Sequence, residues 1–269
     1  MLAEERRNRL LEMVRVKRFA SLGELCDQLQ VSESTVRRDL EHLEEQGTAR
    51  RIHGGVLYAG RSPGLPHFEM RQPVGEDTKR AIAVEAVRLI DDGDTVMLDG
   101  GSTTYEVARL LVGRPVSIVT TSLPVANLFA SHSGSDLVLI GGNICPRTGV
   151  SQGPYAEKML DMVRVRKTIL SVAGINDEGC FNNNLMLVET EQAMMRAADE
   201  VIVVADSSKF GRQSLAHVCP LEAIHHLVVD SGMVKPWREK ITKAGVHLVL
   251  AKEEKQSQEE ETDEHGTND

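Results

Sequence analysis

From residue 77 onward, short apolar runs alternate with segments of helical periodicity, and this alternation constrains the fold more than any other feature. The runs that predict strands are 96–98, 116–119, 137–140, 168–172, 201–205, 227–229 and 246–250. Helices are predicted between most of them, over 79–90, 103–111, 124–129, 155–162 and 189–198. Such alternation is typical of an α/β domain with a largely parallel sheet, because parallel strands need a helix-length connection between them.

The first 57 residues have a different pattern, which predicts three short helices followed by a hairpin. Ser21 and Glu24 are spaced as a capping box before the second helix, and Ser32 is an N-cap candidate for a third helix that runs to about residue 45. Gly47 is expected to end that helix. Residues 48–56 are too short and too glycine-rich for another helix, which favours a β-hairpin. The arrangement is that of a winged helix-turn-helix, a reader of double-stranded DNA.

The third helix carries candidate contacts to DNA. Val36 and Leu40 form its apolar stripe, which places Ser34 and Arg38 on the opposite side and Arg37 on the flank. Hydroxyl and guanidinium groups at the exposed start of a helix suit contacts to phosphate and to guanine. The alternative is a simple three-helix bundle with a solvated arginine face, which the glutamates at positions 41, 44 and 45 favour.

The remaining segments are predicted from composition. Proline and glycine are frequent over 58–76, which we expect to form a linker. Residues 252–269 hold eight acids and two lysines, account for −6 of the net charge of −9, and are expected to form a disordered acidic tail. The winged helix-turn-helix is therefore expected over 1–57 and the α/β domain over 77–251.

Composition also excludes several classes of protein. No apolar run approaches the ~20 residues of a membrane span, and no signal-peptide core is present at the N-terminus, so we expect no membrane association and a cytoplasmic location. The four cysteines are at least 35 residues apart, which argues against a zinc site and against a disulfide framework. We expect neither a metal nor another cofactor.

Polar loops follow several of the predicted strands, at what would be the carboxyl edge of a parallel sheet, where ligands bind. The run from Asp99 through Gly100, Gly101, Ser102 and Thr103 to Thr104 opens a helix. A glycine turn there is a good anion cradle, because free backbone N–H groups and the helix dipole both favour phosphate. Loops 120–122 and 141–143 follow later strands in the same way. For each hydroxyl, an ordinary helix N-cap is the alternative.

Two charged residues strengthen the phosphate interpretation. Asp206 and Lys209 follow the strand that ends at Ala205, where the lysine offers a charge for phosphate and the carboxylate can accept hydrogen bonds from sugar hydroxyls. Lys79 begins the first helix of the domain and is a weaker candidate, with a solvated surface position as the alternative. No Walker lysine and no GxGxxG run is present, so nucleotide folds of those two types lack support.

Several stretches resemble a known family. SESTVRRDLEHLEEQG and RIHGGV are similar to the DNA-binding half of the DeoR family of bacterial transcriptional regulators. The resemblance implies a recognition helix and a wing that contact DNA through Ser32, Ser34, Thr35, Arg37, Arg38, Arg50, Arg51, His53, Gly54 and Gly55.

The resemblance extends to about residue 250 through DGGSTTYEVARLL, TTSLPVANL, GGNI and ADSSKFGR. These stretches resemble the effector domain of that family, which resembles ribose-5-phosphate isomerase and the CoA-transferase-like fold and senses phosphorylated sugars. The resemblance implies that the GGSTT loop holds the phosphate. Residues and resemblance together give the candidate effector-binding set Lys79, Asp99, Gly100, Gly101, Ser102, Thr103, Thr104, Thr121, Ser122, Asp206 and Lys209.

One departure from the family concerns the ligand. Relatives often carry a lysine just after the glutamate that matches Glu189, where this chain has Glu191, and the preceding residues 181–184 are unusually polar. An acid in place of a base alters which hydroxyls or phosphates are accepted. The resemblance therefore does not specify the sugar.

The sequence thus predicts a repressor of a carbohydrate-metabolism operon that binds its operator as a homodimer or homotetramer and responds to a sugar phosphate. The alternative is an enzyme, because a carboxylate, a lysine and a phosphate loop could assemble enediol chemistry. The DNA-binding segment argues against catalysis as the main role. A purely structural DNA-associated protein is a third possibility, but it would leave the loop hydroxyls without a role.

Overall fold

The computed structural model describes residues 3–17, 19–45, 49–52, 55–58, 68–132 and 134–252. The chain divides into two compact units, Met1–Gly64 and Leu65–Asp269. The first unit contains α1 (Ala3–Lys17), β1 (Phe19–Ser21), α2 (Leu22–Leu29), α3 (Glu33–Glu45), β2 (Ala49–Ile52) and β3 (Gly55–Tyr58).

The first unit has the elements of a winged helix-turn-helix. Its strands form an antiparallel sheet in the order β1-β3-β2, so the predicted hairpin is confirmed and gains a third strand. Ser21 and Glu24 form the predicted capping box at the start of α2. Leu10, Leu25 and Leu40 come from the three helices and are fully buried in one core. Gly47, His53 and Gly54 lie outside the described residues.

The helices of the second unit are α4 (Phe68–Arg71), α5 (Glu76–Val87), α6 (Ser102–Leu111), α7 (Leu123–Ala130), α8 (Pro154–Leu160), α9 (Leu185–Arg196) and α10 (Lys235–Lys243). Its strands are β4 (Thr95–Leu98), β5 (Ser117–Thr120), β6 (Leu137–Leu139), β7 (Asn143–Cys145), β8 (Val150–Gln152), β9 (Val165–Ser171), β10 (Gly174–Asn176), β11 (Gly179–Asn182), β12 (Ala198–Ala205), β13 (Ala216–Cys219), β14 (His226–Asp230) and β15 (His247–Ala251).

A seven-stranded parallel sheet forms the centre of this unit, in the order β15-β14-β12-β9-β4-β5-β6. Its strands are the seven that the apolar runs predict, so the α/β fold class is confirmed. Both faces are covered by apolar side chains. On β12, Val201 and Val203 belong to the core on one face, whereas Ile202 and Val204 belong to the core on the other.

The sequence did not predict two smaller antiparallel sheets, β7-β8 and β10-β11-β13, or helix α10. Most of these strands have three or four residues, with glycine, asparagine and cysteine among them, so they lack a recognisable period. The expected linker over 58–76 is also corrected, because Tyr58 lies in β3, Phe68–Arg71 forms α4, and α5 begins at Glu76.

The acidic tail from residue 253 onward lies outside the described residues, and its predicted disorder stays a prediction. Among the helices that the structure describes, none is both long and apolar enough to cross a membrane.

Candidate functional site

A cavity of about 710 Å³ lies at the carboxyl ends of four neighbouring strands of the parallel sheet. The ends of β14, β12, β9 and β4 contribute Asp230, Asp206, Ser171 and Asp99 to its lining. We call it the strand-end cavity. Its other polar lining residues come from α4, α5, the first turn of α6, the turn between β7 and β8, β11, α9 and the loop after β12: Arg71, Thr78, Lys79, Ser102, Thr103, Thr148, Asn182, Glu191, Ser207, Ser208 and Lys209.

Asp99 ties two of these strand ends together. Its Oδ1 accepts a hydrogen bond from the Gly101 N–H (2.9 Å), and its Oδ2 accepts from the Ser171 N–H (2.7 Å) and the Ser171 hydroxyl (3.0 Å). Burial raises the pKa of Asp99, and these hydrogen bonds oppose the rise. The carboxyl group is therefore committed to positioning the turns after β4 and β9.

The glycines after β4 are required by packing. A Cβ at Gly100 would overlap the Val150 side chain, and a Cβ at Gly101 would overlap the Ser171 side chain. No side chain caps α6 at Gly101, and Ser102 and Thr103 from its first turn line the cavity. The positive end of a helix dipole therefore lies at the cavity, as an anion site requires.

Three cations surround one part of the cavity. Lys79 is buried, and its Nζ donates to the carbonyls of Arg71 (2.6 Å) and Gln72 (3.3 Å), so the solvated alternative for Lys79 is wrong. Burial lowers the pKa of Lys79, and the negative charge of Asp206 opposes this lowering. The positive charges of Lys209 and Arg71 lower the pKa of Lys79 further. Lys79, Arg71 and Lys209 therefore lie within electrostatic range of one another.

Arg71 is the cation that sequence reasoning missed. Its Nε and Nη2 are buried and have no hydrogen-bond partner among the described residues. Burial lowers the pKa of the guanidinium, while the charge of Asp99 opposes the fall. Buried N–H groups without partners are costly, so Arg71 offers two donors to a ligand.

Asp206 and Lys209 form an ion pair at the cavity, with 3.5 Å between Oδ2 and Nζ. Asp206 Oδ1 also accepts from the backbone N–H of Ser208 (3.0 Å) and from its hydroxyl. Burial alone would raise the pKa of Asp206, but Lys209 and the Ser208 hydrogen bonds outweigh it and hold the pKa below its ordinary value. Asp206 is therefore a carboxylate that orients Lys209.

Glu191 is a buried acid in the cavity lining, with only 2% of its surface exposed. Its Oε1 accepts a hydrogen bond from Asn182 Nδ2 (2.7 Å), whereas its Oε2 has no partner among the described residues. Burial raises the pKa of Glu191 well above its ordinary value, and Asp99 raises it further. The side chain therefore presents an uncharged carboxyl group to the cavity.

Three predicted effector residues do not line the cavity: Thr104, Thr121 and Ser122. Thr104 is buried within α6. Ser122 is the N-cap of α7 and accepts from the Val125 N–H (3.3 Å), and the Thr121 carbonyl accepts from the Ser151 N–H (2.7 Å). The N-cap alternative is therefore correct for Ser122. Gly141–Asn143 line a separate groove with α8.

The first unit presents the predicted DNA-contacting residues of α3 as follows. Ser32, Ser34, Arg37 and Arg38 are exposed, and Val36 is fully buried on the opposite side of the helix. The Ser32 hydroxyl lies 2.9 Å from those of Ser34 and Thr35. Arg37 Nη2 pairs with Glu33 at 2.5 Å.

In the wing, Arg50 and Arg51 lie on β2, and Gly55 begins β3. Ile52 pairs with Gly55 across the hairpin. The backbone of the wing is therefore described, apart from positions 53 and 54.

The buried acid predicts a pH-dependent stability difference between Glu191→Gln and the parent protein. In the folded parent protein, the Glu191 carboxyl group keeps its proton at pH values at which it has lost that proton in the unfolded chain, where its pKa has the ordinary value of 4.5. As the pH rises above that value, the parent should lose stability relative to the variant by about 1.4 kcal/mol per pH unit until the folded pKa is reached.

Urea unfolding between pH 4 and pH 8, followed through the single tryptophan, Trp237, measures this difference. Glu189→Gln on the exposed side of α9 is the control and should show no such trend. A constant difference between Glu191→Gln and the parent across the range would contradict an uncharged Glu191.

Comparison with known proteins agrees with both units. Residues 6–61 match the DeoR-like helix-turn-helix domain, and residues 75–231 match the DeoR C-terminal sensor domain. The chain is 31% identical to the uncharacterized HTH-type transcriptional regulator YulB of Bacillus subtilis (strain 168), over 87% of this chain and 91% of that protein. It is 33% identical to the putative aga operon transcriptional repressor of Escherichia coli O157:H7, over 93% of this chain and 94% of that protein.

Among solved structures, ribose 5-phosphate isomerase A from Methanocaldococcus jannaschii is similar over 51% of this chain and 55% of that chain, with 23% identity and a TM-score of 0.38. The sensor-domain match alone covers more than half of the chain, and the relatives align over nearly its whole length. The chain belongs to the DeoR family of transcriptional regulators.

Proposed function

We propose that this regulator represses a carbohydrate-metabolism operon and that a sugar phosphate in the strand-end cavity modulates its affinity for operator DNA. The observation that carries the proposal is the group of three cations at one end of the cavity, of which Arg71 has buried donors without partners. The similarity to a putative aga operon transcriptional repressor supports repression of an operon as the mode of regulation.

A phosphate group fits these cations. Arg71 can donate two parallel hydrogen bonds to a phosphate, and such charge-assisted bonds are the strong ones. The mutual repulsion of Arg71, Lys79 and Lys209 falls when a dianion lies among them. The first turn of α6 adds its dipole.

The carboxyl groups of the cavity favour binding over turnover. An isomerase needs a carboxylate free to take a proton from the substrate. Asp99 accepts hydrogen bonds from Gly101 and Ser171. Asp230 accepts hydrogen bonds from the backbone N–H groups of Ser207 (2.5 Å) and Gly232 (2.9 Å). Each is therefore already committed to holding a loop.

For the DNA-binding half, we propose that α3 lies in the major groove. The hydroxyls of Ser32, Ser34 and Thr35 are grouped at its start, where they suit phosphate oxygens. Arg38 is exposed one turn further along and suits a guanine edge. Arg50 and Arg51 on the wing add positive charge at the neighbouring backbone.

Arg38→Ala should reduce sequence discrimination, and Arg51→Ala should weaken binding to all sequences. One bidentate base contact contributes about 1–3 kcal/mol, whereas loss of a phosphate contact lowers the salt slope of binding by about one. Gel shifts on operator and scrambled DNA across a salt series measure both effects. Arg88→Ala, on exposed α5–β4 surface, is the control. Operator affinity unchanged in both variants would contradict this docking.

We further propose that the protein assembles as a homodimer or homotetramer through the α/β domain. Tyr155, Met159 and Met162, in and after α8, form an exposed apolar patch along the groove that Gly141–Asn143 also line. Val138 and Leu139 of the edge strand β6, which precedes this groove in sequence, are exposed as well. Monomers rarely expose such a patch, and a second copy would cover it. Two copies would also read two DNA half-sites together.

Met162→Asp should shift the protein towards monomer, because Met162 is 84% exposed in this patch and a buried unpaired carboxylate opposes association. Light scattering of the full chain at micromolar concentration measures the mass. Val234→Asp, an exposed apolar residue at the start of α10, is the matched control and should leave the mass unchanged. A monomeric parent protein would contradict the proposal.

Lys209→Ala should lower sugar-phosphate affinity by one to two orders of magnitude, since a charge-assisted hydrogen bond contributes about 1.5–3 kcal/mol. Calorimetry with a panel of sugar phosphates, paired with gel shifts, tests the sensor role as a whole. The variant should bind operator, because Lys209 lies outside the helix-turn-helix unit, and should respond poorly to effector. Binding of free sugars but not of their phosphates would overturn the phosphate assignment.

A further inference from the structure

The strand-end cavity has two chemically different ends. The charges of Asp206, Lys209 and Arg71 all act on the pKa of Lys79. The three cations Lys79, Lys209 and Arg71 are therefore close enough to one another to interact. After burial itself, the groups that act on the pKa of Glu191 are Asp99, Asn182 and Cys219, and no cation is among them. Asp99 acts on the pKa of Arg71 as well as on that of Glu191. It therefore lies between a cationic end and a second end formed by Glu191 and Asn182.

At this second end, the Glu191 carboxyl group is fixed in place. Asn182 on β11 donates to Oε1 at 2.7 Å, and Asn182 Nδ2 also lies 3.4 Å from the Ser171 carbonyl. Both side chains are at least nine-tenths buried and both line the cavity. Oε2 has no hydrogen-bond partner among the described residues. A rigid, buried polar group with one unused atom in a cavity wall is suited to recognise a ligand.

We infer that Glu191 determines ligand specificity, because it binds an uncharged hydroxyl at the end of the ligand remote from the phosphate and excludes a second anionic group there. The inference rests on the proposed function, since it assumes that a phosphate occupies the cationic end. The ligand class is thus a sugar monophosphate with a neutral far end, as opposed to a sugar-acid phosphate or a bisphosphate.

The physical reason is that a hydroxyl and an anion differ in the free energy of binding next to the buried Glu191 carboxyl group. A hydroxyl can donate to Oε2 or accept from a carboxyl O–H, so it satisfies the unused atom in either orientation. An anionic group would lose its hydration beside Glu191, and no cation is among the groups that act on the pKa of Glu191. An ammonium group would also have to be desolvated, against a carboxyl that burial keeps uncharged.

Matched ligand pairs isolate this end of the site. The pairs are glycerol 3-phosphate with 3-phosphoglycerate, erythritol 4-phosphate with 4-phosphoerythronate, ribitol 5-phosphate with 5-phosphoribonate, and glucitol 6-phosphate with 6-phosphogluconate. Members of a pair differ only in a terminal CH₂OH or carboxylate. Inorganic phosphate is the common reference for the cationic end. Calorimetry on the full chain gives the affinity ratio within each pair.

We expect the parent protein to prefer the polyol in the pair of matching length by roughly tenfold or more, since the ligand carboxylate would lose its hydration at this end and a tenfold change in affinity corresponds to only one pKa unit of free energy. Glu191→Lys should reverse the preference, because it places a cation at the far end. Glu191→Gln should shift the ratio towards the acid by a smaller factor, because its amide cannot ionise and offers two N–H donors where the carboxyl group offers one donor. Glu189→Lys is the matched control, with the same substitution on the exposed side of α9.

The outcomes separate the inference from the function on which it rests. If neither inorganic phosphate nor any phosphorylated compound binds the parent, the proposed function fails and the inference with it. If inorganic phosphate binds but no polyol phosphate binds more tightly, or if the polyol-to-acid ratio is the same in the parent, Glu191→Gln and Glu191→Lys, the inference alone is overturned. If Glu191→Lys does not fold, the shift in Glu191→Gln decides.

Discussion

The buried carboxyl group of Asp99 is the contact on which the cavity depends. It joins the ends of β4 and β9 by accepting from the backbone of Gly101 and from the backbone and hydroxyl of Ser171. These two strands are adjacent in the sheet, although 66 residues lie between the end of β4 at Leu98 and the start of β9 at Val165. Because the same contact fixes the glycine turn before α6, it also sets where the positive end of that helix faces.

The sequence predicts which segments form the strands of the sheet, but it does not predict the order of those strands. The five inner strands are buried on both faces, so each leaves a continuous apolar run that identifies it, and the two edge strands are also largely apolar in sequence. The order depends on which runs pair, and that information is spread over distant residues. Because β9 lies between β4 and β12, the cavity forms from the loops after β4, β9, β12 and β14. Thr121 and Ser122 follow β5, one strand further out, and the Ser122 hydroxyl caps α7 instead.

Because contacts between residues far apart in the sequence leave no local pattern, the sequence indicates only some of the site residues. Asp206 and Lys209 follow a recognisable strand, so their position at the sheet edge is predictable. Arg71 lies in a proline- and glycine-rich stretch that conceals a four-residue helix, and no local pattern shows that its guanidinium is buried. Glu191 is noticeable only as a departure from the family. Its burial depends on contacts with Asn182 on another element, which composition and periodicity do not reveal.

The placement of Arg71 bears on how a ligand could influence DNA binding. A ligand changes operator affinity only if it binds one state of the protein better than another. Of the residues that line the cavity, Met70 and Arg71 are nearest in sequence to the helix-turn-helix unit, which ends at Gly64. Lys79 already holds this segment through the carbonyls of Arg71 and Gln72. A phosphate that engages Arg71 and Lys79 together would fix the segment Met70–Gln72, which follows that unit in sequence. Ligand binding and the conformational freedom of that segment are then coupled, and the coupling is reciprocal.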